Sequence, residues 1–410
     1  MGLPVLLKKI FESDGYGSKL NRSVIPFAAS LASASPSDVA SAGWVKGLVD
    51  AEVYVDASVS SSGDGLTSAT AVKTIAEGVE LLKQYPSGSG IKTRLHIAGG
   101  TYNETVYLQN IKCDLDLSGN VTINGILGFN YFVGTIGTDS STTLTVSSIV
   151  IDCEAYAYFS CKVVVNGNAN GVTIYHHSYC QFNADISIAT NSHVGILLGG
   201  HSSAYFNGNL TISNSSIGLA IYDYGLVAVD SDSATITSSN IGIECTNKGF
   251  GFIRPKSLSI TSTGQSAFKC GTSSVLTFYD FDSFTVTHSG QGSTAVVWQC
   301  SYIEIYTKSG ATFTVNKSNT GDCFESNAIS IFRITGSGSV HYSGKSSITA
   351  HAWGHGYLLF SSSLSVSGSF SEGKRYDVGT LSVIDVSGAG ANRFPGTTNG
   401  SVGTRSSYYV

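Results

Sequence analysis

The feature that most constrains this chain is a repeat between Gly171 and Gly321. Six successive segments of 23, 23, 24, 25, 27 and 29 residues each combine an opening apolar strand, a middle strand with aromatic residues and a closing strand such as DISIATNSH or SLSITSTGQ. Three short strands per segment are typical of one coil of a parallel β-helix, which buries its apolar side chains by stacking on neighbouring coils. The repeat therefore predicts an all-β, right-handed parallel β-helix with coils of about 24 residues.

Composition supports paired strands and excludes other classes. The 410 residues are 42% hydrophobic and 12% charged, with 47 glycines and 6 prolines, so neither a charged disordered chain nor a collagen is expected. Proline cannot donate to a strand ladder, and only Pro255 lies between Pro86 and Pro395. A β-sandwich would share the alternation of apolar residues but would not keep one register through successive segments.

The pattern along the chain predicts four regions. They are an attachment segment with a linker (1–50), the entry into the β-helix with a capping helix (51–93), on the order of eleven coils (94–387) and a C-terminal cap or trimer seam (388–410).

The capping helix is predicted to open at Thr67 and Ser68 and to end at Pro86. Four apolar residues at helical spacing would form its buried face: Ala71, Ile75, Val79 and Leu82.

The net charge, the apolar runs and the spacing of the cysteines limit which binding partners and which cellular compartment are expected. The net charge is −5 and the only basic cluster is Lys8-Lys9, so nucleic-acid binding is not expected. No apolar run suits membrane insertion, and the N-terminal residues do not fit a signal peptide, which indicates synthesis and assembly in the cytoplasm. The eight cysteines lack close pairs, which predicts reduced, buried thiols, with Cys245, Cys270 and Cys300 at like positions in successive coils.

No metal or other cofactor is expected. His351 and His355 have the spacing of a metal pair on a helix, but they lie in a strand-rich region.

Two columns of residues are candidates for chemistry. Counting back from the closing strands, the position six residues earlier holds Phe182, Phe206, Asp230, Arg254 and Asp280. The position four residues earlier holds Ala184, Gly208, Asp232, Lys256 and Asp282. Both columns are predicted to share one face of the solenoid.

The columns allow two interpretations. One is a glycan groove with acid–base carboxylates, in which Asp230 and Asp280 lie about 9–10 Å apart, two strand spacings, at the far edge of the range for inverting hydrolysis. The other is a surface ion-pair ladder, because Arg254 and Lys256 stand between the carboxylates and favour their ionised forms. The sequence favours the ladder and leaves Asp230, Asp232, Asp280 and Asp282 as the candidate catalytic residues.

Outward aromatic residues are candidates for stacking on sugar rings, with packing between subunits as the alternative. The candidate glycan-binding residues are Tyr156, Tyr158, Tyr222, Tyr224, Arg254 and Lys256.

Three parts of the sequence carry a resemblance to a known family, over about 60 residues. They are Tyr54-Val55-Asp56 with Gly63-Asp64-Gly65-Leu66 and Thr74-Ile75, the N-terminal Leu3 to Phe11 with Ser23 to Phe27, and Arg393 to Thr397 with Gly400 to Val402. These segments resemble bacteriophage tail-fibre and tailspike proteins, whereas the coil pattern alone is shared with pectate lyases and autotransporter adhesins.

The resemblance implies a homotrimeric virion component that docks to a phage tail or baseplate protein through its N-terminal segment. It further implies an adhesive role, the binding of bacterial surface polysaccharide during host recognition. The alternative is a tailspike depolymerase, a hydrolase or lyase that cleaves host capsule or O-antigen. The chain has 21 Tyr and 19 Phe with few charges, which also favours large interfaces and a trimer.

Overall fold

The computed structural model describes residues 51–85, 93–390 and 392–409. Within these residues 34 strands join one continuous sheet system, and every strand pair is parallel. The strands wind into a parallel β-solenoid of about 13 turns, so the predicted all-β parallel β-helix is confirmed. The predicted attachment segment in residues 1–50 lies outside the described residues.

Three parallel ladders, which we call opening, middle and closing, run along the solenoid. Five long strands pass from one ladder to the next: β2 (Thr93–Tyr102), β4 (Asp114–Asn130), β6 (Thr143–Asp152), β14 (Leu210–Ile221) and β16 (Ser233–Cys245).

The remaining strands each belong to one ladder. The opening ladder contains β3 (Val106–Gln109), β9 (Val172–Ile174), β12 (Val194–Leu198), β19 (Ser266–Cys270), β22 (Ala295–Val297), β25 (Phe324–Asn327), β28 (Ile348–Trp353), β31 (Lys374–Val378) and β33 (Ser401–Val402). The middle ladder contains β1 (Ala51–Val55), β5 (Val133–Ile136), β7 (Tyr156–Phe159), β10 (Tyr179–Phe182), β13 (Ser203–Phe206), β15 (Leu226–Val229), β17 (Phe250–Ile253), β20 (Val275–Phe278), β23 (Tyr302–Thr307), β26 (Ile331–Gly336), β29 (Tyr357–Phe360), β32 (Val383–Asp385) and β34 (Ser407–Tyr409). The closing ladder contains β8 (Lys162–Asn166), β11 (Ile186–Ala189), β18 (Ser257–Ser262), β21 (Ser283–His288), β24 (Thr312–Lys317), β27 (Ser339–Gly344) and β30 (Ser365–Phe370).

The stack is longer than the sequence predicts. β1 pairs with β2 before the first predicted coil, and β33 and β34 continue the ladders beyond β31 and β32. At a strand spacing of about 4.8 Å, about 13 turns give an axis of roughly 60 Å.

The core fills the interior of the coils because alternate residues of each short strand point inward. Register places like side chains on one another: the rings of Phe159 and Phe182 are 4.5 Å apart and 10° from parallel, and those of Phe182 and Phe206 are 5.1 Å apart and 3° from parallel. Such aromatic pairs contribute about 0.5–1.5 kcal/mol beyond the area they bury.

The helix begins later than predicted. Thr67 accepts a backbone hydrogen bond at the start of a short 3-10 turn (Ser68–Thr70), and Ala71 then leaves helical geometry with ψ 148°. The α-helix α1 (Ile75–Leu82) begins at the N-cap Thr74, which forms a capping box with Glu77.

Glu104 and the first strands hold α1 in place. The Glu104 carboxylate accepts hydrogen bonds from the N–H groups of Ile75 (2.8 Å) and Ala76 (3.0 Å), where it also complements the helix dipole. The buried side of α1 packs against β1, β2 and β3, and Pro86 lies outside the described residues.

A two-residue turn joins the opening and middle strands of most coils. Both of its residues have positive φ although neither is glycine in the pairs Cys153–Glu154, His176–His177, Asp223–Tyr224, Asn247–Lys248, Thr272–Ser273, Gln299–Cys300 and Ala328–Ile329. Each such residue costs on the order of 1–2 kcal/mol, so the surrounding structure must hold the turn in place.

A ladder of buried serines follows these turns, and we call it the serine ladder. Its members are Ser178, Ser202, Ser274, Ser301 and Ser330. The hydroxyl of Ser274 accepts a hydrogen bond from the N–H of Gly249 (3.0 Å), and that of Ser301 accepts one from the N–H of Ser274 (3.2 Å). Each hydroxyl therefore pairs with a buried backbone donor of the preceding coil.

The cysteine prediction is partly wrong. All eight thiols are free, and six are buried, but Cys153 is half-buried and Cys300 is exposed. Cys245 stacks on Cys270 as predicted, whereas the next residue in that column is Val297. Cys300 lies three residues later, in the positive-φ turn, so it does not join the column.

Candidate functional site

The sequence-predicted columns line a shallow groove of about 460 Å³ between the middle and closing strands. We call it the ladder groove and define it by Asp230, Asp232, Arg254, Lys256, Asp280, Asp282 and Lys308. The structure thus brings all four candidate carboxylates to one surface.

Three ion pairs connect neighbouring coils in this groove. Arg254 Nη2 lies 3.1 Å from Asp230 Oδ2, and Lys256 Nζ lies 2.6 Å from Asp232 Oδ1. The third pair joins Lys308 Nζ to Asp282 Oδ1 at 2.7 Å. All six side chains are more than one third exposed, so each pair contributes at most about 1 kcal/mol.

The predicted column that contains Asp230 and Arg254 is wrong for its other members, Phe182, Phe206 and Asp280. Phe182 and Phe206 point inward and lie in register with Val229 and Ile253 rather than with Asp230. The outward residue in line with Arg254 is Tyr279, whose ring centroid is 5.8 Å from the guanidinium carbon.

Loop length explains the misalignment. Leu210, Ala234 and Phe284 are equivalent in the closing ladder, and they are preceded by three residues after Phe206, four after Val229 and five after Phe278. Counting back from the closing strand therefore works only for the last residues of the loop. The second column holds at these positions, since Asp232, Lys256 and Asp282 each directly precede a closing strand.

Asp280 occupies a separate position. It has a φ of 62°, and its backbone oxygen accepts a hydrogen bond from Lys308 Nζ at 3.0 Å.

The ion pairs of the ladder groove limit the acid–base chemistry that its carboxylates can perform. A cation beside a carboxylate favours the ionised form, whereas a general acid must hold a proton near neutral pH. Asp230, Asp232 and Asp282 each face a cation. The groove therefore offers paired charges that suit hydrogen bonding to a polar ligand.

The predicted tyrosines form two further groups away from this groove. Tyr156 and Tyr158 pack around Tyr179, with ring centroids 6.2 and 5.5 Å away, on the outer side of the middle strands. Tyr224 lies in a positive-φ turn, where its ring stacks on His201 at 4.5 Å and its hydroxyl lies 2.6 Å from Lys248 Nζ.

Tyr222 ends an opening strand and donates a hydrogen bond to Glu244 Oε2 (2.5 Å). Burial, with Glu244 as a second cause, raises the pKa of the Tyr222 hydroxyl. Tyr222 and Tyr224 thus belong to different surroundings.

Sequence reasoning missed a row of residues on the opening ladder, which we call the tryptophan strip. It consists of Trp298, Asn327 and Trp353 in one outward column with Lys269, Val296, Glu325 and His351 in the next. No sequence signal marked this row, because only the strand register, which aligns Val297, Ser326 and Ala352, places the residue after each of them in one column.

Hydrogen bonds order the end of the strip near Trp353. Trp353 Nε1 donates to Glu325 Oε1 at 3.1 Å, and Ser293 Oγ donates to Glu325 Oε2 at 2.6 Å. His351 Nδ1 lies 2.7 Å from Asp322 Oδ2. Burial lowers the pKa of His351, but the hydrogen bond to Asp322 and the negative charges of Asp322, Glu325 and Asp377 together outweigh it, so the pKa is raised.

One group of described residues has the geometry of a metal site. Ligand atoms of Asp152, Cys153 and His176 all lie within 4.8 Å of one another. Asp152 Oδ1 also lies 2.5 Å from His176 Nδ1 and accepts a hydrogen bond from the Cys153 N–H (2.8 Å), so these contacts stabilise the turn. His351 lies in β28 and contacts Asp322, and His355 lies in the turn that follows this strand, so the two histidines do not have helical spacing.

Comparisons with known proteins add no relative. No protein-family model matches the sequence, and no curated protein or solved structure matches it either. The similarity to phage fibres therefore rests on the residues quoted above. In the described part of the chain, no helix has the length and apolar character needed to cross a bilayer.

Proposed function

We propose that this chain is a structural and adhesive component of a bacteriophage virion, a tail fibre or tailspike that binds bacterial surface polysaccharide. It would assemble in the host cytoplasm as a homotrimer and dock to a tail or baseplate protein through its N-terminal segment. The supports are the resemblance at the β-helix entry and both ends of the chain, together with a solenoid body long enough to present a repeating surface.

The observation that carries the binding role is the pairing of charges in the ladder groove. Arg254, Lys256 and Lys308 each contact a carboxylate, which gives alternating donors and acceptors along the axis. Such an array suits the hydroxyl groups of a glycan, and it favours adhesion over cleavage because cleavage needs one carboxyl group in protonated form.

Exposed rings support the trimer. Five tyrosine side chains of the described residues are exposed: Tyr107, Tyr131, Tyr156, Tyr224 and Tyr306. Exposed apolar surface of this kind marks interfaces. A trimer should sediment at about three times the 42.8 kDa of one chain, and sedimentation as a monomer under native conditions would contradict it.

Cleavage and binding are separated by one experiment. The purified protein is incubated with capsules and lipopolysaccharides from a panel of bacteria, and both retention and released reducing ends are measured. We expect retention without release. Release that disappears in Asp230→Asn or Asp280→Asn, but persists in the exposed control Asp139→Asn, would instead identify a depolymerase. Retention of no polysaccharide would reject the adhesive role.

A further inference from the structure

Two tryptophans in the tryptophan strip are spaced along the solenoid axis. Trp298, Asn327 and Trp353 follow residues that are in register in three successive coils. The two indoles therefore originate two strand spacings apart, about 9–10 Å along the axis. That separation is close to the length of a disaccharide unit in an extended polysaccharide, so alternate sugars of a chain lying along the axis would meet the two indoles.

Trp353 is both exposed and fixed in orientation. Its side chain is 45% exposed, although its indole N–H donates to Glu325. Glu325 is held in turn by Ser293 and by Asn327 Nδ2, which donates to Glu325 Oε1 at 3.3 Å. A ring held in this way loses little conformational entropy when a ligand stacks on it.

Trp298 is held flat by the preceding coil. A Cβ atom at Gly271 would lie 2.2 Å from the indole, so only glycine at this position leaves room for the ring. Lys269 Nζ lies 4.8 Å from the ring centroid and 3.5 Å from Glu244 Oε1. A sugar stacking on Trp298 would replace the cation–π contact, while Lys269 keeps Glu244 and gains sugar hydroxyls as acceptors.

The charged side chains around the tryptophan strip indicate which kind of polysaccharide it would bind. Asp322 is paired with His351, and Asp377 with Lys374 at 3.3 Å. Among the described residues no Lys, Arg or His nitrogen lies within 4 Å of the Glu325 carboxylate, and its charge is one of the causes that raise the pKa of His351 in the next coil. Glu325 would accept hydrogen bonds from sugar hydroxyls and repel uronic or sialic acids.

We propose that the tryptophan strip binds a linear, uncharged polysaccharide parallel to the solenoid axis, with sugars stacked on Trp353 and Trp298 and hydroxyl groups bonded to Glu325 and Asn327. This inference rests on the proposed adhesive function; it places the stacked sugars on the opening ladder rather than in the ladder groove, and it names the class of glycan.

The test uses the full chain and immobilised bacterial polysaccharides, some neutral and some containing uronic acids. Surface plasmon resonance compares the wild type, Trp353→Ala, the double variant Trp298→Ala/Trp353→Ala and the control Tyr107→Ala. Tyr107 is a matched control because it is also exposed and also lies against a glycine of the next coil, Gly128.

We expect the wild type to prefer neutral polysaccharides, Trp353→Ala to weaken binding at least about tenfold, and Tyr107→Ala to bind within about twofold of the wild type. Glu325→Gln should reduce the discrimination against uronic acids. A double variant that binds a neutral polysaccharide as tightly as the wild type would overturn the strip while leaving adhesion intact.

Three other results would also overturn it. A wild type that binds no polysaccharide would reject the proposed function itself. A double variant that sediments as a monomer would assign the strip to subunit contacts. Loss of binding in Arg254→Ala/Lys256→Ala, with no loss in the double tryptophan variant, would assign the glycan to the ladder groove.

Discussion

The buried ammonium group of Lys317 allows a direct test of the electrostatics inside the solenoid. It ends β24 with 1% of its surface exposed, and its ammonium donates to Gly292 O (2.8 Å) and to His288 Nδ1 (3.2 Å). His288 Nε2 donates to Gly264 O (3.2 Å), which leaves Nδ1 as the acceptor. Burial lowers the pKa of Lys317 to about 8, and burial together with the Lys317 charge lowers the pKa of His288 to about 4.

The magnitude follows from the pKa difference. A lysine that falls from 10.5 to about 8 on folding destabilises the folded state by roughly 3 kcal/mol below pH 8, where both states hold the proton. Lys317→Met removes this cost but leaves Gly292 O without its donor and His288 Nδ1 with only the Thr294 hydroxyl at 3.4 Å, which together cost about 1–2 kcal/mol. The variant should therefore be about 1–2 kcal/mol more stable than the wild type at pH 7.

The difference in stability between Lys317→Met and the wild type should change with pH. Between pH 8 and 10.5 the unfolded lysine holds more protons than the folded one, so this group adds stability as the pH rises. The advantage of Lys317→Met should then shrink, reach zero between about pH 9 and 10 and become a deficit at higher pH, because the lost hydrogen bonds still count against the variant. Burial raises the pKa of thiols such as Cys180, which lowers stability at alkaline pH in both proteins and cancels in the difference.

Urea unfolding followed by circular dichroism at pH 7, 8.5 and 10, at one protein concentration, measures this difference. Lys162→Met, an exposed residue of β8, is the control and should show no pH-dependent difference. The reasoning would be refuted by a Lys317→Met variant that is less stable than the wild type at pH 7 by a margin that does not change with pH.

Three further predictions concern the core and the thiols. Ser301→Ala leaves the buried N–H of Ser274 without its acceptor and should cost roughly 1–3 kcal/mol, measured by chemical unfolding against the exposed control Ser365→Ala; equal stability would contradict the role of the serine ladder. Phe182→Ala opens a cavity in a stack of three rings and should cost about 3–5 kcal/mol, and a loss below about 1 kcal/mol would show that the core relaxes. Cys300 should react with a maleimide in the folded protein within minutes while Cys180 reacts only after unfolding, as mass spectrometry of labelled peptides can establish.

The closing strands could be predicted because their side chains have one dominant requirement. Ile188, Ile212, Ile236, Ile260 and Val286 lie in register in the structure as they do in the sequence alignment. Their β-branched side chains point into the core, and a slip of one residue would turn each of them outward. The need to keep these side chains in the core therefore produces a repeat that is visible in the sequence.

The turns and the tryptophan strip could not be predicted in the same way. Positive φ normally favours glycine or asparagine, but the turns use residues such as Cys300 and Ile329, because contacts between coils impose the geometry. The strip joins Glu325 and Trp353, which come from adjacent coils of different length, and only the strand register shows that they meet.

The serine ladder gives the solenoid a direction. The hydroxyl of each later coil receives the N–H of the earlier one, as with Ser301 and Ser274. A coil without a successor therefore lacks the serine acceptor for this donor. Shortening from the two ends is unequal as well. Loss of a C-terminal coil leaves a backbone N–H without its acceptor, and this N–H cannot move. Loss of an N-terminal coil instead leaves a serine hydroxyl without its donor, and the hydroxyl can rotate toward water.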